Sequence, residues 1–174
     1  MPPDTTDRAV QDFYPDDFAH CYGCGRLNGH GLHVRTHWDG DETVSRYTPQ
    51  AWEMAVPGFV YGGLIASLID CHAMGTAAAA MLRAAGQDVG AAPSPRFVTA
   101  SLRVDYLQPT PLGPELVIRA RVRQASDRKV VVEATVSVGA AVSVGVAVSV
   151  GAAATARGEA VAVPMPANMA AGTR

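Results

Sequence analysis

An antiparallel sheet wrapped around one long central helix, an α+β fold, is what this sequence predicts, and three observations predict it. Read at helical period, Pro57–Gly86 is apolar around most of its circumference, with Leu64, Ile65, Leu68, Ile69, Met74 and Leu82 on more than one face. The segments before and after it alternate apolar and polar residues with period two. Their order is two strands, the helix, then four strands in an antiparallel meander, which is not a βαβ pattern. A helix apolar all round needs sheet on most of its sides.

The elements follow in order. Residues 1–19 are polar and contain Pro and the pair Asp16-Asp17, which reads as a partly ordered arm ahead of a single domain at 20–166. His20–Leu32 is rich in Gly and reads as irregular. Leu32–Trp38 alternates, with Leu32, Val34 and Trp38 on one face and His33, Arg35 and His37 on the other. Asp39-Gly40-Asp41 is a tight turn into Glu42–Thr48, so the two segments make a hairpin. Pro49–Phe59 is a loop, and Tyr61-Gly62-Gly63 turns the chain into the helix. The helix ends near Gly86, with Arg83 placed favourably for its dipole.

Gln87–Pro95 is a linker. Arg96–Gln108 is a long strand, with Val98, Ala100, Leu102, Val104 and Tyr106 on one face. Pro109–Pro114 turns the chain into Glu115–Gln124, where Leu116, Ile118, Ala120 and Val122 share a side. Ser126–Lys129 is a polar turn, and Val130 opens the next strand. From Val136 a six-residue unit repeats, VSVGAA, VSVGVA, VSVGAA, so 136–153 reads as the lengthened tip of a hairpin that would otherwise join Val130–Val138 to Thr155–Val163. An even insertion keeps both flanking strands facing the same way. Residues 167–174 form a C-terminal tail.

Composition excludes several classes. The 174 residues suffice for one sizeable core. A net charge of −2 without any Lys/Arg cluster argues against nucleic acid. The start has no basic region followed by an apolar run, and three cysteines make no disulfide framework, so a reducing cytoplasm is expected. The 23 residues from 134 to 156 carry no charge, long enough on paper to cross a bilayer. Val, Gly and Ser in strict alternation make them strand instead, and no membrane partner is expected.

The central helix carries a single acid, Asp70. An ionised carboxylate among apolar side chains costs several kcal/mol unless a partner compensates it. Three motifs surround that residue. Pro57-Gly58-Phe59-Val60-Tyr61-Gly62-Gly63 precedes it, with Asp70 seven positions after the second Gly. Val98-Thr99-Ala100-Ser101-Leu102-Arg103-Val104-Asp105-Tyr106-Leu107, followed by Pro109, lies downstream. Cys21 to Leu32 carries C-x-G-C-G-x-x-N-x-x-G-L upstream.

Together, over roughly residues 20–163, these resemble the hotdog-fold acyl-CoA thioesterases of the PaaI-like family. The resemblance implies a hotdog fold and hydrolysis of an acyl-CoA, with no cofactor and no metal. It implies that the Gly63 N–H polarises the thioester carbonyl and that Asp70 is general base or nucleophile. Thr99 stands where relatives carry a hydroxyl that orients the attacking water. Tyr61 replaces the pattern's His and Ala55 replaces an Asn found in some relatives. Tyr61 can donate a hydrogen bond but is no proton shuttle at neutral pH.

Chemistry and geometry add to this. Thioester hydrolysis needs donors for the oxyanion, and a helix N-terminus offers free N–H groups that Gly62 and Gly63 leave open to a substrate. Seven helical residues rise about 10.5 Å, so Gly63 and Asp70 of one helix cannot share a reacting atom. Two antiparallel helices from two subunits can, which predicts a homo-oligomer, a dimer or a dimer of dimers. Arg128 and Lys129 are candidates for the phosphates of the CoA moiety. Cys21-x-x-Cys24 with His20 and His30 lacks a second ligand pair, so tight packing of a small-residue loop over the sheet is expected rather than a metal site. His72 lies about 200° round the helix from Asp70 and reads as a satisfied interior or interface histidine rather than a catalytic partner, with Cys71 beside it in the core.

Overall fold

The computed structural model describes residues 8–90, 93–139 and 153–170. The strands are β1 (His37–Asp39), β2 (Glu42–Tyr47), β3 (Phe97–Tyr106), β4 (Leu116–Ala125), β5 (Val130–Val138) and β6 (Ala154–Pro164). The helices are α1 (Gly62–Ala84) and the single turn α2 (Ala167–Ala170). All six strands form one sheet in the order β1-β2-β4-β5-β6-β3, every neighbouring pair antiparallel, and the sheet wraps α1. This is the hotdog arrangement.

α1 is long and apolar enough to cross a membrane, but 72% of its most apolar stretch is buried inside the protein. It is a core helix. Leu68 and Ile69 are fully buried, each contributing about 1.5–3 kcal/mol. The sheet comes close because it turns small residues inward: Ala134, Ala156, Ala160 and Ala162 are buried, and a Cβ on Gly158 would sit 2.7 Å from Ile69 Cγ2. The helix ends as its sequence predicts, with Gly86 at φ +68° and the Gln87 N–H donating to the Leu82 carbonyl at 2.9 Å. Arg83 stacks on the Trp38 ring, 3.3 Å from its centroid, tying the last turn to the first hairpin.

Four expectations change. The strands after α1 are not a four-strand meander: β4, β5 and β6 are, but β3 lies beyond β6 at the sheet edge. The cause is the Pro109–Pro114 connection, which pairs with the segment before α1 instead of folding straight back. There the Val60 N–H donates to the Thr110 carbonyl, and the Leu112 N–H to that of Gly58, each at 2.9 Å. Nor do Val98 and Ala100 share a face with Leu102, Val104 and Tyr106. A bulge at Ala100 shifts the register, Thr99 pairing with Ala162 and Ser101 with Val161. Phe97 and Thr99 before the bulge, and Leu102, Val104 and Tyr106 after it, are the helix-side residues.

The first hairpin is also shorter than its alternation suggests. His33 adopts φ +52°, which breaks the extended run, so β1 starts only at His37. Leu32, Val34 and Thr36 still turn inward, and the Gln11 side chain supplies the missing ladder bonds, accepting from the Thr36 N–H at 2.8 Å and donating to its hydroxyl at 2.9 Å. The fourth change concerns the arm, because Val10, Tyr14 and Ala19 are core residues. Most of the repeat, 140–152, lies outside the described residues. The described flanks pair antiparallel, Val130 with Ala162 and Val136 with Ala156, and the register shifts between Val136 and Ser137.

Of the interior and interface positions the sequence leaves open for His72, the structure shows the interior one. It is fully buried, its ring nitrogens within hydrogen-bonding distance of Ser45 Oγ (2.6 Å), Thr36 Oγ1 (3.2 Å) and Thr43 Oγ1 (3.3 Å). Burial pushes its pKa down to about 3, so it is neutral and serves to register α1 against β2.

Candidate active site

One stripe of α1 is not covered by the sheet. Gly62, Gly63, Ala66, Ser67 and Asp70 are half-buried, at the spacing that places them along a single helix face. The acid that looked costly in sequence therefore stands at an opening rather than in the core. Asp70 Oδ1 accepts a hydrogen bond of 2.5 Å from Thr99 Oγ1. The bulge at Ala100 makes this possible, keeping Thr99 on the helix side while the rest of β3 packs along α1. Burial raises the Asp70 pKa, the Thr99 hydrogen bond opposes that rise, and the neighbouring Cys21 adds to it. The result is a carboxylate more basic than an exposed one, with its second oxygen outside the Thr99 bond.

At the other end of the stripe is the start of the helix. Tyr61 is the N-cap residue, its carbonyl accepting from the Leu64 N–H at 3.0 Å. The N–H groups of Gly62 and Gly63, in the first turn, have no intrahelical acceptor and carry the positive end of the dipole. Both glycines are hemmed in by tyrosines. A Cβ on Gly63 would lie 2.4 Å from Tyr61 Cε1, and one on Gly62 would touch the Tyr106 ring at 3.4 Å. The Tyr106 hydroxyl donates to the Gly62 carbonyl at 2.7 Å, and Ser67 Oγ to that of Gly63 at 2.9 Å. A cleft of about 350 Å³ opens beside this turn, lined by Tyr22, Trp52, Glu53, Tyr61, Gly63 and Ser67 among others. Glu53 braces its wall, taking the Tyr47 hydroxyl at 2.6 Å and the Gln50 N–H at 2.7 Å, while its own carbonyl accepts from the Tyr61 N–H.

The fold thus brings Asp70 on α1 together with Thr99 on β3, and Tyr61, Gly62 and Gly63 together at the start of α1, as two separate groups. Arg128 and Lys129 are exposed on the β4–β5 turn. Val130 pairs with Ala162, which pairs with Thr99, so this turn belongs to the Asp70 end of the sheet and not to the Gly63 end. Ala55 is exposed in the loop before α1, its N–H donating to the Phe59 carbonyl at 3.0 Å. Tyr106, Ser67 and Glu53 are additions to the residues that sequence reasoning singles out. Ser67 at four positions beyond Gly63 was a readable signal, whereas Tyr106 and Glu53 depend on tertiary contacts.

A third grouping involves all three cysteines. Cys21 and Cys24 do not sit over the sheet. Their loop lies on α1 against Cys71, and the three sulfurs are within 4.8 Å of one another. His20 and His30 are exposed on the loop's outer side and are not part of this cluster.

Comparison with known proteins agrees with this architecture. Residues 57–142 match the thioesterase superfamily. A thioesterase superfamily protein from Shewanella loihica PV-4 is 41% identical, with a TM-score of 0.60 over 87% of this chain and 98% of that one. The acyl-coenzyme A thioesterase THEM4 of Xenopus laevis is 32% identical over 93 residues, 53% of this chain and 36% of that protein. The chain therefore matches little more than a third of that relative's length. The PaaI protein of the Escherichia coli phenylacetic acid degradation operon shares the fold, at TM-score 0.57 and 15% identity, over 78% of this chain and 81% of that one.

Proposed function

The chain belongs to the thioesterase superfamily, a family of thioester hydrolases, and on that premise we propose that it hydrolyses acyl-CoA to a carboxylate and free CoA at a site shared between two subunits. The observation that carries this reading is the open stripe of α1, with the Thr99-bonded Asp70 at one end and the Gly63 N–H at the other. About 10.5 Å of helix separates them, too far for one reacting atom. An antiparallel second helix brings Gly63 of one subunit to Asp70 of the other. Exposed apolar side chains flank the stripe on the loop before α1 and along β3, among them Val56, Phe59, Leu102, Tyr106 and Leu107, and a partner subunit would cover them.

In this site the thioester carbonyl oxygen accepts a hydrogen bond from the Gly63 N–H at the positive end of the helix dipole. Asp70 either takes a proton from an attacking water or attacks the carbonyl carbon itself, Thr99 holding one carboxylate oxygen. The oxyanion collapses, the carbon–sulfur bond breaks, and the CoA sulfur leaves and is protonated. If Asp70 attacked, water then cleaves the resulting anhydride. Tyr61 and Gly62 border the bound thioester. Arg128 and Lys129, on the Asp70 side, are assigned to the CoA phosphates. The three free thiols suit a reducing compartment, which supports a cytoplasmic location.

The Tyr61 ring lying against Gly63 favours a second reading, a hotdog protein that binds acyl-CoA without turning it over. Turnover across aryl, short-chain and long-chain acyl-CoAs decides between them. Release of free thiol from at least one class, abolished in Asp70→Asn, supports hydrolysis. Saturable binding of these thioesters with no thiol release supports the second reading.

A further inference from the structure

We propose that Cys21, Cys24 and Cys71 form a site for a thiophilic d10 cation, a structural Zn²⁺ held by three thiolates, which pins the N-terminal loop to the central helix. The first support is spacing. Cys21 Sγ and Cys71 Sγ are 3.8 Å apart, and all three sulfurs lie within 4.8 Å of one another. Sulfurs bound tetrahedrally at about 2.3 Å from zinc are about 3.8 Å apart. The cluster needs little adjustment to close on an ion, and the half-buried Cys21 side leaves a fourth position to water.

The second support is the construction of the loop. Cys21-Tyr22-Gly23-Cys24-Gly25 folds as a tight knuckle, the Gly25 N–H donating to the Cys21 carbonyl at 2.8 Å. Both glycines are required by space. A Cβ on Gly23 would lie 2.1 Å from Cys71 Sγ, and one on Gly25 would lie 2.4 Å from the Cys21 nitrogen. Further bonds, from the Leu32 N–H to the Tyr22 carbonyl and from the Val34 N–H to that of Gly23, hold the knuckle without any disulfide.

The third support is charge. Arg96 stacks on the Tyr14 ring, 4.0 Å from its centroid, and interacts electrostatically with Cys24. Its Nε and Nη1 are buried without a hydrogen-bond partner. A guanidinium held this close to three sulfurs is favoured electrostatically where the cluster is negative. Three thiolates around Zn²⁺ carry a net −1, which the guanidinium balances.

The test uses the full chain, purified under reductant, stripped of metal and titrated anaerobically with Co²⁺. Thiolate-to-cobalt charge-transfer absorption and tetrahedral ligand-field bands should saturate at one equivalent per chain, and Zn²⁺ should displace the cobalt. Cys24→Ser and Cys71→Ser should each weaken binding at least about tenfold and lower the charge-transfer intensity by about a third, as loss of one of three thiolates requires. Absence of the charge-transfer band overturns the proposal. So does an unchanged band in Cys71→Ser, which would reduce the site to the C-x-x-C pair. Should Cys71→Ser not fold, alkylation of the wild-type chain decides: Zn²⁺ must protect all three thiols, and labelling at equal rates with and without Zn²⁺ overturns the proposal. A native Cys21–Cys71 disulfide in protein isolated from zinc-supplemented cells would also overturn it.

Discussion

Gly63→Ala separates the fold from the chemistry. The added methyl would stand 2.4 Å from Tyr61 Cε1 and 2.6 Å from its phenolic oxygen, so the ring must move. Tyr61 is 57% exposed, which leaves the ring room to swing into solvent. Baring some tens of Å² of aromatic surface in that swing costs about 1 kcal/mol. Alanine in place of glycine near the start of a helix returns up to about 1 kcal/mol. Net stability should stay within about 1 kcal/mol of wild type. Activity should not. The methyl and the displaced ring occupy the approach to the Gly63 N–H, and losing one oxyanion donor costs about 10²–10³ in kcat. Paired measurements, urea unfolding and thiol release from acyl-CoA, should show an unchanged midpoint with kcat lowered about a hundredfold. Turnover within about threefold of wild type would refute the oxyanion role, since that is close to 0.6 kcal/mol of transition-state binding.

Three further outcomes follow from the same geometry. Thr99→Val removes the donor to Asp70 while keeping the strand's shape, and a bond to a charged group is worth about 1.5–3 kcal/mol. It should lower kcat/KM at least about tenfold, and Thr99→Ser should restore it; an active valine variant would contradict the positioning role. Gly75→Ala places a Cβ 2.5 Å from both Gln11 Nε2 and Thr36 Oγ1 in the core, so it should destabilise by about 2–4 kcal/mol despite the helical gain. An equal or higher urea midpoint would show that this junction is loosely packed. Ala66→Arg puts a charge in the middle of the open stripe of α1 and should convert the oligomer to monomer by light scattering; a variant of unchanged mass would mean the stripe is not an interface.

Much of this architecture was legible because side-chain period reports which residues turn inward. The apolar stretch of Gly62–Ala84, the turn at Gly40 and the inward Leu116, Ile118 and Ala120 all follow from it. Period says nothing about which strand lies beside which, so the position of β3 next to β6 required the pairing of the Pro109–Pro114 connection with the segment before α1. A bulge is likewise invisible to alternation, since one extra residue at Ala100 inverts the parity of everything before it. Half of the candidate site could be read from the sequence, because Asp70 is the single acid on an apolar helix and Gly62-Gly63 opens that helix. The cysteine cluster could not, as Cys71 is fifty positions from Cys21 and only the fold brings them within 3.8 Å. The bracing of the glycine turn by Tyr106 and Glu53 was hidden for the same reason.

The central claim, one site built from two subunits, is most directly tested by mixing two disabled variants. Asp70→Asn lacks the carboxylate and Gly63→Val blocks the N–H, so each homodimer should be inactive against an acyl-CoA that wild type hydrolyses. In a heterodimer of the two, Gly63 from the first subunit meets Asp70 from the second, and one of the two sites is intact. Random reassembly makes half the dimers mixed, so activity should recover to about a quarter of the wild-type value. Mixed dimers that stay as inactive as their parents would contradict the shared site and return Asp70 and Gly63 to separate roles.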